Sequence, residues 1–359
     1  MKVGAVLFFQ NYLDRMTDRK VWDDNLHIGT MLEPLGYDFV GVVEHHFEGY
    51  STTADNLQIL SYLAAKTERI GLMTSAVILP WNDPLRVAER ILVLDQLSNG
   101  RAMFGMGRGL ARMEYERFGV DMNEARERFD ESAKIVMQAL ETGILESGDK
   151  HYKRHFPVDL RPKPFKSFKD RTFAVAMSSD SLPVVAELGA AMLAFSGRAW
   201  EEMAEPLRQY RTIFAQHHPG PAPDPVFCNF LLCDQSADRA QALAHEHVAN
   251  YYDALIDHYE MAGSHFKNIK GYGDYALGAE QLREQADLER KRTEFVGYND
   301  IGTPTQILEE YERRRNLLGD FDLILNVIYG GLTVENSESS VRLFAEKVLP
   351  ELKSWGSGR

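Results

Sequence analysis

The sequence predicts an α/β protein whose parallel strands close into a (β/α)8 barrel. Apolar, β-prone runs alternate with helical spacing about eight times along the 359 residues. No linker rich in Pro, Gly or Ser divides the chain. Polar residues follow directly after the apolar run at 39–43, where parallel sheets and barrels place their chemistry. Eight repeats favour a barrel over a doubly wound sheet, so we expect one domain over residues 1–359.

The eight predicted strands are short apolar runs, and the helices between them show apolar residues at helical spacing. The strands are predicted at 2–9, 39–43, 70–79, 102–106, 172–176, 190–195, 225–233 and 323–328. The helices are predicted at 18–35, 55–67, 84–97, 122–142, 181–188, 200–216 and 337–352. The charged, glycine-dotted stretch at about 263–297 exceeds one βα unit. We expect this insertion before the last strand to be a lid over the site or a solvated excursion.

Composition narrows the class of protein. The formal charge of -13 argues against non-specific binding to nucleic acid or to an anionic membrane. The two cysteines, Cys228 and Cys233, fall in one strand-like run and predict no disulfide between them. So few cysteines indicate a reducing compartment, and no apolar stretch reaches the length of a membrane span. A cytoplasmic protein is expected.

The helix at 85–97 has apolar residues on more than one face. A helix in the outer ring of a barrel needs only one buried stripe. The second face could contact another subunit, or a loop of the same chain could cover it. We expect a homodimer or higher oligomer.

The strongest chemical signal follows the second predicted strand. Glu44, His45, His46 and Phe47 stand at its carboxyl end. Neighbouring residues on a strand point to opposite faces, so His45 and His46 cannot both ligate one metal ion there. No HxH or HExxH pair completes such a site, and no metal is predicted. A histidine here favours general acid/base chemistry; the alternative is a core histidine hydrogen-bonded to Glu44.

A glycine-rich stretch, FGMGRGL at residues 104–110, follows the fourth predicted strand. Its spacing fails the dinucleotide-binding fingerprint, because Leu110 replaces the third glycine and the stretch is far from the first βα unit. The glycines allow a ligand to approach the backbone closely, with Arg108 beside it.

Further along, Arg126 begins the long predicted helix, and serines precede an early helical proline at residues 178–183. Arg126 alone would be an ordinary solvated helix residue, and the serines alone a plain helix N-cap. Together with Arg108 they would form a phosphate cradle in an otherwise acidic protein.

Five stretches in register resemble the bacterial luciferase-like flavin monooxygenases, in particular the luciferase α-subunit. They are LGYDFVGVVEHHF, AVILPWNDPLRVAERILVLDQLSNGR, FGMGRGL, RFGVDM and GYNDIGTP. The resemblance extends from Met1 to about Leu352. It implies a (β/α)8 barrel that binds reduced FMN at the carboxyl ends of its strands.

The resemblance also implies roles for single residues. His45 matches the catalytic histidine of the family, and Glu44 and Glu114 match polar positions near the flavin ring. The remaining matched positions are Arg108, Arg126, Ser178 and Ser181 at the phosphate, Ser75 and Ala76 as a pair joined by a cis peptide beneath the ring, and Gly107 beside it. Residues 263–297 fall on the mobile lid. Gly107 replaces a reactive cysteine of the luciferase α-subunit and Met177 replaces a glutamate, which argues against light emission but not against flavin chemistry.

The implied activity is that of a two-component monooxygenase. Reduced FMN would come from a separate NAD(P)H-flavin reductase, because this chain has no nicotinamide-binding motif. Dioxygen would add to the flavin as a peroxide, in a dry pocket, and oxidise a small apolar aldehyde, ketone or aromatic compound. Phe8, Met73, Met106 and Phe195 could line that pocket, although such residues are more often barrel core. The alternatives are a deazaflavin-dependent hydride-transfer oxidoreductase and a non-catalytic flavin-binding partner subunit.

Overall fold

The protein, seen in a computed structural model that describes residues 1–195, 197–282 and 285–356, is built on a closed ring of eight parallel strands. In chain order the ring strands are β1 Val3–Leu7, β2 Phe39–Val42, β3 Gly71–Thr74, β4 Ala102–Gly107, β5 Thr172–Val175, β6 Ala191–Phe195, β7 Val226–Cys233 and β8 Asp322–Asn326. Each strand pairs with the next, and β1 pairs with β8 to close the ring. The predicted barrel is therefore confirmed.

Helices surround the ring on its outer side. They are α1 Asp18–Met31, α2 Asn56–Ala64, α3 Pro84–Leu97, α4 Arg112–Phe118, α5 Ala125–Thr142, α6 Ser181–Leu188, α7 Ala204–His217, α8 Ala237–His258, α9 Gly273–Gln281, α10 Gln285–Gly297, α11 Pro304–Leu318, α12 Val334–Lys347 and α13 Leu349–Ser354. Several begin at a residue whose side chain accepts a hydrogen bond from the first turn, such as Thr17, Asp55 and Thr333. Helices α4, α8 and α11 lie where no element was predicted.

Two apolar layers hold the fold together. One lies between strands and helices, and the other fills the inside of the ring with residues such as Phe39, Met73, Phe230 and Ile324. Gly4 of β1 leaves the room that the Phe39 ring occupies, since a Cβ atom there would lie 2.4 Å from that ring. The interior is therefore packed, and ligands can bind only at its mouth.

The third predicted strand, at 70–79, is divided in the structure. Strand β3 ends at Thr74, and a separate short strand, Val77–Ile78, pairs with the end of β4. Asn56 at the start of α2 donates its side-chain amide to the carbonyls of Val42 and Ala76, at 3.3 and 3.2 Å. The Ala76 carbonyl thus points towards α2 instead of β4. The hydrogen-bond ladder between β3 and β4 is interrupted at this point.

The insertion at 263–297 contains a 3-10 helix, His265–Asn268, followed by α9 and α10. Its first part lies over the loops that follow β4, where Phe266 and Tyr272 pack against Tyr115 and Met122. Helix α10 packs along α8 instead. We call residues 263–281 the cover segment, because they lie across one side of the barrel mouth.

No helix within the described parts of the chain has both the length and the apolar character needed to cross a bilayer. On the outer surface, Val93 and Leu97 of α3 are 43% and 58% exposed. These residues belong to the second apolar face predicted for that helix. The oligomer stays a prediction.

Candidate active site

His45 lies at the mouth of the barrel, three residues beyond the end of β2. Its Nδ1 is 3.2 Å from Oε1 of Glu114, a residue of α4 whose side chain is almost completely buried. The same carboxylate oxygen accepts a hydrogen bond from the backbone amide of His46 at 2.8 Å. Burial favours the neutral acid, but the charge and hydrogen bond of His45, together with His258, outweigh it and lower the pKa of Glu114. An ionised carboxylate therefore fixes the His45 ring.

His46 points the other way and has a structural role. Its Nε2 is 3.3 Å from Oε1 of Glu44, and its ring lies edge-on to Phe118 with the centroids 4.7 Å apart. Glu44 also accepts hydrogen bonds from the Trp81 indole at 2.8 Å, the Asn82 amide at 2.9 Å and the Ile78 backbone at 3.1 Å. The alternative of a core histidine hydrogen-bonded to Glu44 thus describes His46. His45 instead lies at the barrel mouth.

Two residues at the end of α8 complete the surroundings of His45, and neither was predicted. The Tyr259 hydroxyl is 3.4 Å from Nε2 of His45. His258 stacks on Tyr50 and meets His45 edge-on, with ring centroids 4.2 and 5.1 Å apart. Burial, followed by the nearby charge of His45, lowers the pKa of His258 to about 4. His258 is thus neutral at neutral pH.

The predicted phosphate side of the mouth begins with Arg108, directly after β4. Its guanidinium lies over the Tyr272 ring at 4.1 Å and donates to the Gly271 carbonyl at 3.0 Å. Tyr115 donates its hydroxyl to the Arg108 carbonyl, which fixes the backbone of the glycine-rich turn. Arg108 therefore joins the turn after β4 to the cover segment.

Arg126, at the start of α5, has an incomplete set of partners. Its Nη1 is 3.6 Å from the Asp130 carboxylate, and its buried Nη2 has no hydrogen-bond partner among the described residues. Burial and then the positive charge of Arg108 lower the pKa of the Arg126 guanidinium. Two close arginines with an unpaired buried nitrogen form a site that suits an anion.

The predicted serines lie in the loop between β5 and α6. Ser178 and Ser181 bond to each other, with their hydroxyl oxygens 3.1 Å apart. Neither serine caps the helix as expected, because Asp180 holds the N-cap position and Ser181 is already the first helical residue. Ser179 donates through its amide and its hydroxyl to Asp274 of the cover segment, both at 2.9 Å.

The sequence analysis missed a third arginine on this side. Arg198 follows β6 and donates to the Met177 carbonyl at 3.1 Å. Burial raises the pKa of Tyr275, a residue of the cover segment, and the positive charges of Arg108 and Arg198 oppose this shift. Arginines and serines that are far apart in the sequence thus lie close together in the structure, around residues 271–275 of the cover segment.

Gly107, at the end of β4, lies beside the small side chain of Ala76. The peptide bond between Ser75 and Ala76 is cis, as the resemblance implied. The buried Ser75 hydroxyl has no hydrogen-bond partner within the described parts of the chain. A Cβ atom on Gly107 would lie 3.2 Å from Ile78 and 3.5 Å from Ala76, so any side chain there would fill this space. Such a surface suits a flat ring with polar edges.

On its other side, His45 faces a cavity of about 730 Å³ between the loops after β1 and β2 and the end of α8. Tyr50, Glu48, Asp253 and His258 also line it. Met73 and Met106 are completely buried and belong to the barrel core. Of the four residues predicted for a substrate pocket, Phe8 contacts His45, with ring centroids 5.7 Å apart.

The model of the family described as "Luciferase-like monooxygenase" matches residues 1–320. The chain belongs to this family. The alkanal monooxygenase alpha chain of Aliivibrio fischeri is 28% identical to it over 326 residues, which are 90% of this chain and 91% of that protein. The chain is thus an enzyme of the monooxygenase class, similar to the luciferase α-subunit type, as predicted.

Two solved structures share the fold of this luciferase-like chain. The oxygenating constituent of 3,6-diketocamphane monooxygenase from Pseudomonas putida, in complex with FMN, has a TM-score of 0.76 at 15% identity and covers 98% of each chain. The coenzyme F420 dependent tetrahydromethanopterin reductase of Methanopyrus kandleri has a TM-score of 0.68 at 16% identity, covering 98% of this chain and all of its own. At these identities the likeness concerns the fold alone.

Proposed function

We propose that this chain is the oxygenase of a two-component system that uses reduced FMN and dioxygen to oxidise a small aldehyde, ketone or aromatic compound. One observation carries the proposal: the unpaired buried nitrogen of Arg126 lies beside Arg108, on the same barrel mouth as His45. An acidic chain that brings two arginines together in this way suits an anionic group such as the FMN phosphate.

Residues at the barrel mouth offer contacts both to the phosphate and to the ring of FMN. Arg108, Arg126 and the loop of Ser178 and Ser181 would hold the phosphate, and Ser75, Ala76 and Gly107 offer the flat surface for the ring. When bound, reduced FMN supplies the electrons that activate dioxygen. The reductase that provides it is expected to be a separate NAD(P)H-dependent protein.

In this proposal His45 moves a proton at the reacting edge of the ring. Glu114 holds its Nδ1, and the Tyr259 hydroxyl lies at its Nε2, so the ring has one orientation. The cover segment, which packs Phe266 and Tyr272 over the mouth, would exclude water from the reaction.

A deazaflavin-dependent hydride transfer is the second candidate, because the F420-dependent reductase shares the fold. The alkanal monooxygenase relative is more similar in sequence, which favours the oxygenase. Purified protein distinguishes the two. Formation of an oxidised product from a panel of aldehydes and ketones, dependent on both reduced FMN and oxygen, supports the oxygenase, while hydride exchange with a reduced deazaflavin and no such product would support the rival. Binding of FMN without any turnover would indicate a silent partner subunit.

The role of His45 is tested by His45→Ala. We expect substrate turnover to fall about 100-fold or more, as for loss of a general acid/base, while the affinity for reduced FMN stays within twofold. His217→Ala, at the exposed end of α7, is the matched control and should leave both unchanged. Equal turnover in the His45 variant and the wild type would exclude His45 from proton transfer.

A further inference from the structure

Three side chains at the barrel mouth direct ligand atoms towards one point. One nitrogen each of His45 and His258 and one carboxylate oxygen of Glu114 all lie within 4.8 Å of one another. Nε2 of His258 is 3.8 Å from Oε1 of Glu114, and Nδ1 of His45 is 3.2 Å from the same oxygen. These separations are close to those between ligands that share one metal ion at about 2 Å. The sequence predicted no metal, because His45 and His46 point apart and no HxH or HExxH pair is present, but the fold brings His258 from a distant helix beside His45.

The His258 ring is oriented so that the lone pair of one nitrogen is available to bind a cation. Its Nδ1 is 3.0 Å from the Glu48 carboxylate, which can only accept, so Nδ1 carries the hydrogen. Nε2 then presents a lone pair towards a carboxylate oxygen of Glu114, and it is buried with no hydrogen-bond partner among the residues that the structure describes. The side chain of His258 is only 1% exposed.

Each candidate ligand also makes a second contact that fixes its orientation, as metal ligands usually do. Glu48 fixes the ring of His258, and the backbone amide of His46 holds Glu114 at 2.8 Å. The Tyr259 hydroxyl contacts the second nitrogen of His45 at 3.4 Å. The cavity that His45, Glu48 and His258 line gives an ion a path from solvent.

We propose that His45, Glu114 and His258 form a binding site for one divalent transition-metal ion of the Zn²⁺ class. Two imidazoles and one carboxylate are a donor set that such ions accept, whereas Mg²⁺ and Ca²⁺ prefer oxygen alone. Water on the cavity side completes the coordination. In this site the ion replaces the hydrogen bond between His45 and Glu114.

Occupancy of the site has a consequence for catalysis. With a metal ion on Nδ1, the neutral His45 ring carries its hydrogen on Nε2 and has no lone pair left with which to accept a proton. Metal binding and acid/base action of His45 therefore exclude each other. This consequence rests on the proposed function, but metal binding itself does not. Zn²⁺ would therefore act as an inhibitor that binds at His45 without displacing FMN.

The binding test uses the full chain without a polyhistidine tag, freed of metal by a chelator, and titrated calorimetrically with Zn²⁺ at neutral pH. We expect one ion per chain. His258→Gln should abolish this binding, and Glu48→Gln, a change at a residue whose side chain is 44% exposed, should weaken it about 10- to 100-fold. His27→Gln, at an exposed histidine that pairs with Glu338, is the matched control and should bind as the wild type does.

A second readout needs no variant. Co²⁺ bound to two imidazoles and a carboxylate gives visible absorption that Zn²⁺ should remove on addition of one equivalent. Absence of Zn²⁺ binding to the wild type would overturn the proposal, as would wild-type affinity in both the His258 and the Glu48 variant. Zn²⁺ binding without loss of substrate turnover would keep the metal site and contradict the acid/base role of His45 instead.

Discussion

At the scale of single residues, two adjacent histidines have different roles because a strand end turns neighbours to opposite sides. His45 faces the mouth and Glu114, while His46 is held by Glu44 among aromatic rings. The sequence predicted the importance of EHHF but could not divide the roles. It also missed His258, Tyr259 and Arg198, since their place beside His45 and the serines depends on packing between distant elements, which no local spacing reveals.

Arg108 is the residue whose proposed role is easiest to measure. Arg108→Ala should weaken the binding of reduced FMN about 10- to 100-fold, because a charge-assisted hydrogen bond to a phosphate contributes roughly 1.5–3 kcal/mol. Anaerobic fluorescence or absorbance titration gives the dissociation constant. Arg128→Ala is the control: this arginine of α5 pairs with Glu124 at 2.8 Å. The phosphate assignment is wrong if the two variants lose affinity equally, or if neither does.

At the scale of elements, strand positions were predicted well and several helices were not. The buried strands are continuous apolar runs, which sequence patterns detect directly. Helix α8 carries polar residues over much of its length and was missed. The apolar run at 70–79 was predicted to form one strand. Its residue types do not reveal that the side-chain amide of Asn56 donates to the Ala76 carbonyl, which therefore does not take part in the strand hydrogen bonds. The insertion was expected to be a lid or a solvated excursion. Its first half, the cover segment, lies across the barrel mouth, whereas α10 packs along α8.

The polar contacts that hold the cover segment over the mouth include those of Asp274 with Ser179 and of the Gly271 carbonyl with Arg108. Asp274→Ala removes the first and should increase the population of open segments, so that trypsin cleaves after Lys270 several times faster. Mass spectrometry of the fragments over time measures this. Asp287→Ala, which breaks a pair with Arg290 on α10 at 2.8 Å, is the control within the same insertion. Identical cleavage rates in the two variants would show that Asp274 does not hold the segment.

At the scale of the whole molecule, the closed ring explains why one end carries the chemistry. Parallel strands direct all their carboxyl ends to the same mouth, so residues as distant as His45, Arg108 and Ser178 converge there. The barrel interior is filled with side chains such as Phe39 and Phe230, which leaves no room for a ligand within it. The convergence follows from the predicted fold class, and for this reason residues named from the sequence meet at one mouth, while their roles stay predictions.

The most direct test of the central claim is rapid mixing of the protein, saturated anaerobically with reduced FMN, with oxygenated buffer while absorbance is followed. The account predicts an absorbing species, distinct from reduced and oxidised FMN, that persists much longer with the protein than in free solution and decays faster when a substrate is added. Reoxidation at the rate of free reduced FMN, with no such species, would contradict the claim that this barrel mouth binds reduced FMN and controls its reaction with oxygen.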